Sequence, residues 1–255
     1  MSVESTSTTG STRLAPVQRL YERLKLSALE RLFVRHRTDW DGYYRVLRKF
    51  KPVGKPVVYL NQIWSEWEAF VRFVAPRKPR RILEIGTGRG GSTYFWSKLG
   101  SKDSQFITID IEPVCREYVR LYRRRNRGQI TSIIASSHDP ATVQRVSKIL
   151  KSRPLDILYI DGDHTYEGVK KDFELYKGFC DSNSLICLHD IVPDHGVTKG
   201  IETDADSGEV YKLWAELKAQ YEYKEFVSEP GQNGFGIGVI FYRPSQESKD
   251  SETHV

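Results

Sequence analysis

Short β-branched runs alternate with helical stretches through the middle of the chain. Runs of this kind cover 81–85, 105–109, 130–135, 155–160 and 185–188. Two more, 223–227 and 236–242, follow a predicted helix at 210–220 and flank the glycine-rich segment EPGQNG. Strands that alternate with helices form parallel sheets covered by those helices. The pattern therefore predicts an α/β fold with a seven-stranded, mostly parallel sheet, helices on both faces, and a C-terminal antiparallel hairpin.

The segment before the first strand has helical rather than strand spacing. Apolar residues recur at helical intervals through 16–50, and a second helical run covers 61–74, with the Pro/Gly break KPVGK between them. We predict an N-terminal helical extension at 13–80 and the sheet domain at 81–243. The Ser/Thr-rich residues 1–12 and the polar residues 244–255 are predicted to be a disordered and a flexible tail.

Composition narrows the class of protein. The 255 residues contain 39 Lys plus Arg and 33 Asp plus Glu, a net charge of +6. No apolar run approaches the roughly 18 residues of a membrane helix, and the first residues lack the apolar core of a signal peptide. Cys115, Cys180 and Cys187 are odd in number and form no CxxC pair, so we expect reduced thiols. These features lead us to expect a cytoplasmic protein without a membrane partner.

Part of the positive charge is concentrated in one predicted helix, at 116–127. Its arginines are spaced so that they lie near one helix face. This face could bind phosphate or nucleic acid, but a solvated surface is the commoner reason for such spacing, and we favour it. The residues concerned are Arg116, Arg120, Arg123, Arg124 and Arg127.

The strongest local motif is ILEIGTGRGGST at 82–93, a strand that runs into a glycine turn. Its GxGxxG pattern alone fits several nucleotide ligands. Glu84, two residues before the first glycine, can pair with an ammonium group and would repel a pyrophosphate. Asp110 ends the next strand, where a carboxylate can accept both hydroxyls of a ribose. A ligand with an amino-acid group and an adenosine satisfies both charges.

The pattern ExGxGxGG, followed by an acidic residue after the second strand, resembles the class I S-adenosylmethionine-dependent methyltransferases, which have a Rossmann-like fold. The resemblance covers about 60–242. Within that superfamily, LDILYIDGDHTYEGV at 155–169 and the pair His189-Asp190 are similar to a bacterial group of small-molecule O-methyltransferases, the macrocin and cephalosporin-biosynthesis type. Catechol O-methyltransferase is a more distant relative.

The resemblance implies a set of cofactor-binding residues. The segment 136–139 matches the adenine-edge segment of the family, although Ser137 and His138 could instead form a helix cap before Pro140. Asn61 and Gln62 could contact the methionine carboxylate or begin the second helix, and we favour the helix. The predicted S-adenosylmethionine contacts are Glu84, Gly86, Gly88, Gly90, Gly91, Ser92, Asp110, Ser137, His138 and Asp161.

The predicted sheet alone, without the resemblance, also places a ligand site near these residues. Ligands of open parallel sheets bind outside the carboxyl ends of the strands. Five consecutive predicted strands end in polar or turn residues, so we expect these residues to converge on one rim. They are Gly86, Asp110, Ser137, Asp161 and Asp190.

Acidic residues and histidines follow the fourth and fifth predicted strands. The resemblance implies that Asp161, His189 and Asp190 bind a divalent cation, Mg²⁺ or Mn²⁺, that orients an acceptor hydroxyl and lowers its pKa. His189 departs from the more usual carboxylate or carboxamide, and imidazole suits Mn, Fe or Zn better than Mg. A metal-free base site and a structural turn remain open as alternatives.

Three histidines are candidates for the general base, because imidazole with an unperturbed pKa near 6.5 accepts a proton at pH 7. His164 is preferred, with Asp163 as the carboxylate that could orient it. His195, in the predicted loop 191–200, could reach the acceptor from a lid. Asp161 completes the predicted catalytic set with His164 and His195.

We therefore expect a methyltransferase that transfers the methyl group of S-adenosylmethionine to a hydroxyl of a small molecule such as a sugar, a natural product or a phenol. A nicotinamide-dependent oxidoreductase is one alternative, which Glu84 and the closing hairpin disfavour. An RNA-associated module that uses the basic helix is another, and we disfavour a nucleic-acid partner. The apolar stripes of the N-terminal helices predict a homo-oligomer.

Overall fold

The structure is a computed structural model that describes residues 16–52, 58–100, 103–112, 116–123 and 129–244. The predicted tail at 1–12 and almost all of the one at 244–255 lie outside the described residues. Cys115, Arg124 and Arg127 also lie outside them, so only part of the predicted arginine stripe can be placed. Cys180 and Cys187 are free thiols.

A seven-stranded sheet occupies the centre of the described chain. The first five strands are parallel, in the order β3-β2-β1-β4-β5, and β7 pairs antiparallel with both β5 and β6 at one edge. This arrangement confirms the predicted sheet and its closing hairpin. The strands are β1 (Arg81–Ile85), β2 (Gln105–Asp110), β3 (Gln129–Ile134), β4 (Leu155–Ile160), β5 (Cys180–His189), β6 (Tyr223–Phe226) and β7 (Ile237–Phe241).

Helices cover both faces of the sheet, as predicted. The core on one face takes buried side chains from the first five helices, and the core on the other face takes them from α6, α7 and α9. No helix in the described ranges is long and apolar enough to cross a membrane. The helices are α1 (Pro16–Phe33), α2 (Trp40–Lys49), α3 (Trp64–Val74), α4 (Gly91–Leu99), α5 (Arg116–Arg123), α6 (Pro140–Leu150), α7 (Tyr166–Tyr176), α8 (His195–Lys199) and α9 (Val210–Gln220).

The N-terminal extension differs from its prediction in two places. The helical run predicted for 16–50 is broken between α1 and α2, because Asp39 caps α2 and its carboxylate accepts the backbone N–H groups of Gly42 and Arg35, both at 2.9 Å. The helix predicted for 61–74 is α3, which begins at Trp64 rather than at Asn61. The preference for Asn61 and Gln62 as helix-starting residues was therefore wrong, since the chain is not yet helical there.

Aromatic side chains join the N-terminal extension to the sheet. Trp67 and Phe70 of α3 are fully buried. The Trp67 ring makes edge-to-face contacts with Trp96 of α4 at 5.2 Å and with Tyr159 of β4 at 5.7 Å between ring centroids. Buried aromatic pairs of this geometry stabilise a core beyond their area alone. The third helix is thus part of the same core as the sheet.

Candidate functional site

The glycine turn after β1 is shaped by backbone conformations that glycine adopts without strain. Gly86, Gly88 and Gly90 have φ angles of +85°, +47° and +75°. A Cβ on Gly86 would lie 1.7 Å from the carbonyl oxygen of Asp161. The turn can therefore pack directly against the end of β4, which brings Asp161 beside the glycines.

Asp110, at the end of β2, holds this turn in place. One oxygen of its carboxylate, Oδ2, accepts the backbone N–H groups of Thr87 at 2.9 Å and Gly88 at 2.8 Å. The other, Oδ1, accepts the N–H of Glu112 at 2.8 Å. Each carboxylate oxygen can accept about two hydrogen bonds, so Oδ1 keeps capacity for a hydroxyl of a ligand.

A cavity of about 540 Å³ opens over these strand ends. Its volume is in the range of small-molecule and cofactor sites. Four of the five predicted strand-end residues line it, namely Gly86, Asp110, Ser137 and Asp161. The predicted contacts Gly88 and His138 also line it, together with Ile109, Ile111, Glu112, Ser136, Gly162 and Asp163.

Glu84 lies beneath the turn rather than in the wall of this cavity. Its buried carboxylate accepts hydrogen bonds from Thr93 Oγ1 at 2.5 Å and Trp96 Nε1 at 2.8 Å. Burial raises the pKa of Glu84 to about 7, against the opposing effect of the hydrogen bonds from Ser92, Thr93 and Trp96. The carboxyl group ties β1 to α4, and its pairing with a ligand ammonium group stays a prediction.

The remaining predicted contacts of the turn lie at the start of α4. Ser92 is buried, and Gly90 is the residue that precedes the first turn of the helix. A Cβ on Gly91 would lie 2.3 Å from the carbonyl oxygen of Tyr59. The segment 59–60 therefore covers the start of α4 closely.

The segment 136–139 after β3, which the resemblance assigns to the adenine edge, is held by α7. Tyr176 donates its hydroxyl to the carbonyl oxygen of Ser137 at 2.7 Å, and His138 Nε2 lies 3.2 Å from a carboxylate oxygen of the buried Asp172. The cap of α6 is Asp139, which accepts the N–H of Ala141 at 2.8 Å. Ser137 and His138 are thus free of the capping role that the sequence left open.

Two carboxylates and two imidazoles form a compact cluster at the ends of β4 and β5. His189 Nδ1 lies 3.1 Å from an oxygen of Asp161 and 3.0 Å from one of Asp190. His164 Nε2 lies 3.7 Å and 3.4 Å from the same two carboxylates. Asp190 has a φ of +60°, a strained value for a residue other than glycine. The cluster is next to the cavity because Asp161 lines both.

The ligand atoms of the cluster include one histidine beyond the predicted metal set. Ligand atoms of Asp161, His164 and Asp190 all lie within 4.8 Å of one another. His189 is buried, and its Nδ1 also lies beside both carboxylates. The structure therefore adds His164 as a candidate third ligand, and the ligand role of His189 stays a prediction.

His164 differs in two ways from the predicted base. The nearby carboxylates of Asp161 and Asp190 raise the pKa of His164 to about 9, so at pH 7 the imidazole already carries its proton. Asp163 is not the residue that orients the His164 ring, because its carboxylate accepts the backbone N–H of Thr165 at 2.9 Å. His164 Nδ1 instead contacts the carbonyl oxygen of Asp206 at 2.6 Å.

The charges within the cluster compensate each other. Burial opposes ionisation of Asp161, but His189 and His164 hold the pKa of its carboxyl group below its usual range. Burial lowers the pKa of His189, and Asp161 and Asp190 more than offset this, with a net rise to about 10. At pH 7 both imidazoles of the cluster therefore carry a proton.

Gln62 is a site residue whose partner the sequence did not predict. Its side-chain amide donates to Asp161 Oδ2 at 2.7 Å. The partner lies far away in sequence, so no local pattern signals the contact. By contrast His195, at the start of α8, contacts Gly231 O at 3.1 Å and Lys199 Nζ at 2.9 Å, and no described contact joins it to the cluster.

Comparisons with known proteins agree with this geometry. Residues 83–191 match the family model described as a methyltransferase domain, over the segment that contains the glycine turn, Asp110 and the cluster. This segment is a methyltransferase domain. The predicted resemblance to the class I S-adenosylmethionine-dependent methyltransferases is confirmed. The methyltransferase domain therefore includes the turn, the cavity rim and both carboxylates of the cluster.

Solved structures share the fold of the methyltransferase domain. The O-methyltransferase TomG of Streptomyces achromogenes, involved in tomaymycin synthesis and solved with S-adenosylmethionine, is 15% identical with a TM-score of 0.53, covering 88% of this chain and 98% of its own. An O-methyltransferase of Bacillus cereus, solved with S-adenosylhomocysteine, is 16% identical with a TM-score of 0.54, covering 87% and 99%. At these identities the likeness is one of fold.

Two curated relatives match by sequence. An uncharacterised protein of Acanthamoeba polyphaga mimivirus is 32% identical over 117 residues, 42% of this chain and 50% of the relative. An uncharacterised protein of Sinorhizobium fredii is 25% identical over 173 residues, 65% of this chain and 17% of the relative. The chain thus spans half or less of the length of the curated relatives it matches.

Proposed function

We propose that this protein transfers the methyl group of S-adenosylmethionine to a hydroxyl group of a small molecule. The family match supports methyl transfer, and the structural neighbours TomG and the Bacillus cereus enzyme are O-methyltransferases with the cofactor or its product bound. The cavity of about 540 Å³ is large enough for the cofactor.

The observation that carries the proposal is the double hydrogen bond from the glycine turn to Asp110. Thr87 N and Gly88 N fix Asp110 Oδ2 at the cavity rim, so the ribose-binding carboxylate and the turn are held as one unit. We place the methionine part of the cofactor at the turn, the ribose hydroxyls on Asp110, and the adenine along Ser137 and His138. This placement directs the sulfonium towards Asp161.

The cluster at the ends of β4 and β5 activates the acceptor in this proposal. Asp161, His164 and Asp190 offer one imidazole and two carboxylates within 4.8 Å, a donor set that suits a first-row divalent cation. Such a cation would orient the acceptor oxygen and lower its pKa. His189 and Gln62 hold Asp161 from two sides, and the Asp206 carbonyl fixes the tautomer of His164 with Nε2 towards the carboxylates.

Calorimetric titration with S-adenosylmethionine and S-adenosylhomocysteine tests the cofactor assignment. Wild type should bind both, and Asp110→Asn should weaken both by about tenfold or more, because a charged acceptor of hydrogen bonds is lost. Asp103→Asn is the matched control, since Asp103 is exposed before the opposite end of β2. Equal affinity in wild type and Asp110→Asn contradicts this placement. Binding of NAD⁺ instead would favour the oxidoreductase.

A further inference from the structure

A second cavity, of about 500 Å³, lies outside the cofactor site. It is formed between α2 and the segment 58–60, both in the N-terminal extension. Among its described lining residues two are cations and none is acidic. The lining residues are Tyr44, Leu47, Arg48, Lys51, Val58, Tyr59 and Leu60.

The two cations of this cavity have no acidic partner among the described residues. The only acidic residue of α2 is Asp41, and its carboxylate contacts Trp64 Nε1 at 3.3 Å and Arg72 at 3.8 Å. Arg48 instead lies with its guanidinium 5.9 Å from the centroid of the Tyr44 ring. Positive charge in an acid-free cavity favours an anionic ligand.

Aromatic rings make up part of the wall beside these cations. The Tyr44 ring is stacked on Trp64, with centroids 4.1 Å apart and planes within 3°. Tyr59 is 45% exposed. An aromatic ring fixed in this way can stack on a planar group of a ligand. The guanidinium beside it can bind a carboxylate or a phosphate on that group, because arginine binds both oxyanions through two parallel hydrogen bonds.

The chain itself places this cavity close to the proposed methyl-transfer centre. Leu60 lines the cavity, and Gln62, two residues further on, donates to Asp161. Two residues span at most about 7 Å. The carbonyl of Tyr59 also packs against Gly91 at the start of α4. The segment 58–60 therefore forms a wall of the cavity and leads directly to the cofactor rim.

We propose that this second cavity is an acceptor subsite that binds a carboxylate or phosphate group attached to a planar part of the acceptor. The proposal rests on the proposed methyltransferase function. Arg48 and Lys51 bind the oxyanion, and the Tyr44 and Tyr59 rings contact the planar part. The acceptor is thereby an acidic molecule rather than a neutral sugar or a neutral phenol.

Binding of simple probes tests the subsite without knowledge of the acceptor. Naphthyl phosphate, naphthoate and the neutral methoxynaphthalene are titrated against the full chain, with probe fluorescence as the signal. Both anionic probes, or one of them, should bind about tenfold tighter than the neutral one, as expected for charge-assisted hydrogen bonds. The stronger anion identifies the oxyanion class.

A matched pair of double variants locates the binding. Arg48→Gln with Lys51→Gln should remove about tenfold of the anionic affinity, by loss of the same hydrogen bonds. Arg45→Gln with Lys49→Gln removes equal charge from exposed positions of α2 outside the cavity lining, and should change affinity by less than about twofold. Equal losses in the two pairs, or no preference for the anionic probes, overturn the proposal.

S-adenosylhomocysteine separates this inference from the function on which it rests. Both double variants should bind S-adenosylhomocysteine as wild type does, and the anionic probe should bind together with it. Displacement of S-adenosylhomocysteine by the probe overturns the subsite, because the probe then occupies the cofactor cavity. Failure to bind S-adenosylhomocysteine at all contradicts the methyltransferase proposal instead.

Discussion

The side-chain amide of Gln62 donates a 2.7 Å hydrogen bond to Asp161, a residue 99 positions further along the chain. Asp161 also contacts both histidines of the cluster. This one bond therefore connects the N-terminal extension to the residues that we assign to acceptor activation. It fixes which carboxylate oxygen remains directed towards His164 and His189.

Replacement of Gln62 should lower turnover more than cofactor affinity. Gln62→Ala leaves Asp161 Oδ2 without its described side-chain donor, and we expect kcat to fall by about tenfold, the usual cost of one hydrogen bond to a charged group. The affinity for S-adenosylhomocysteine, measured by calorimetry, should stay within about twofold of wild type. Asn61→Ala, at the exposed neighbouring position, is the control. A parallel loss in both variants would contradict the positioning role.

Alanine substitutions at two glycines of the turn distinguish the effect of a steric clash from that of backbone strain. Gly88→Ala places a Cβ in open space at a φ of +47°, and should cost about 1–2 kcal/mol for the left-handed conformation. Gly86→Ala adds a clash with the backbone of Asp161 to a similar strain. We expect a clearly larger loss for Gly86→Ala, measured by urea unfolding. Similar losses would show that β4 does not pack against the turn.

Glu84 should make stability depend on pH. Its pKa rises from 4.5 to about 7 on folding because it is buried. Between these pH values the folded chain holds a proton that the unfolded chain has lost, so stability falls as pH rises and levels off above about pH 7. Removing this carboxyl group by Glu84→Gln should therefore stabilise the chain at pH 8 relative to pH 5.

The size of the pH effect follows from the shift in pKa. Between pH 5 and pH 8, the difference in unfolding free energy between Glu84→Gln and wild type should change by about 2–3 kcal/mol. Urea unfolding at both pH values measures it, and comparing two variants cancels the other titrating groups. Parallel pH profiles for the two proteins would contradict the buried carboxyl group as their source.

Asp190→Asn tests the proposed cation site. Asparagine tolerates the positive φ of this position better than most residues, so the change removes charge with little backbone cost. Mn²⁺ affinity, followed by the paramagnetic resonance of the free ion, should fall by about tenfold or more, and turnover should fall with it. Asp204→Asn, at an exposed loop position, is the control. Turnover that resists both Asp190→Asn and chelation of metal would remove the cation from the mechanism.

The sequence predicts the sheet and its rim because both depend on local patterns. Buried β-branched runs mark each strand, and a turn residue such as Gly86 or Asp110 ends it, so parallel strand order brings those ends together. The break between α1 and α2 also has a local signal, since Asp39 stands three residues before Gly42 and accepts its N–H. The sequence on both sides of Asp39 has helical periodicity, so the pattern alone predicted one uninterrupted helical run.

The side-chain directions within the cluster could not be predicted in the same way. Sequence spacing does not show that the buried His189 and the partly exposed His164 both face the carboxylate of Asp190. It also cannot show that the carbonyl of Asp206, in a distant loop, contacts His164. These contacts depend on how loops pack, and no periodic pattern encodes that packing.

The edge-to-face packing of Trp67 on Trp96 and Tyr159 has a consequence for how the protein unfolds. An extension that shares its aromatic core with the sheet cannot separate while the sheet remains intact, because fully buried rings would be exposed to water. The described chain should therefore unfold in one cooperative transition. Loss of the N-terminal helices would then remove the methyltransferase fold itself and not only the proposed acceptor subsite.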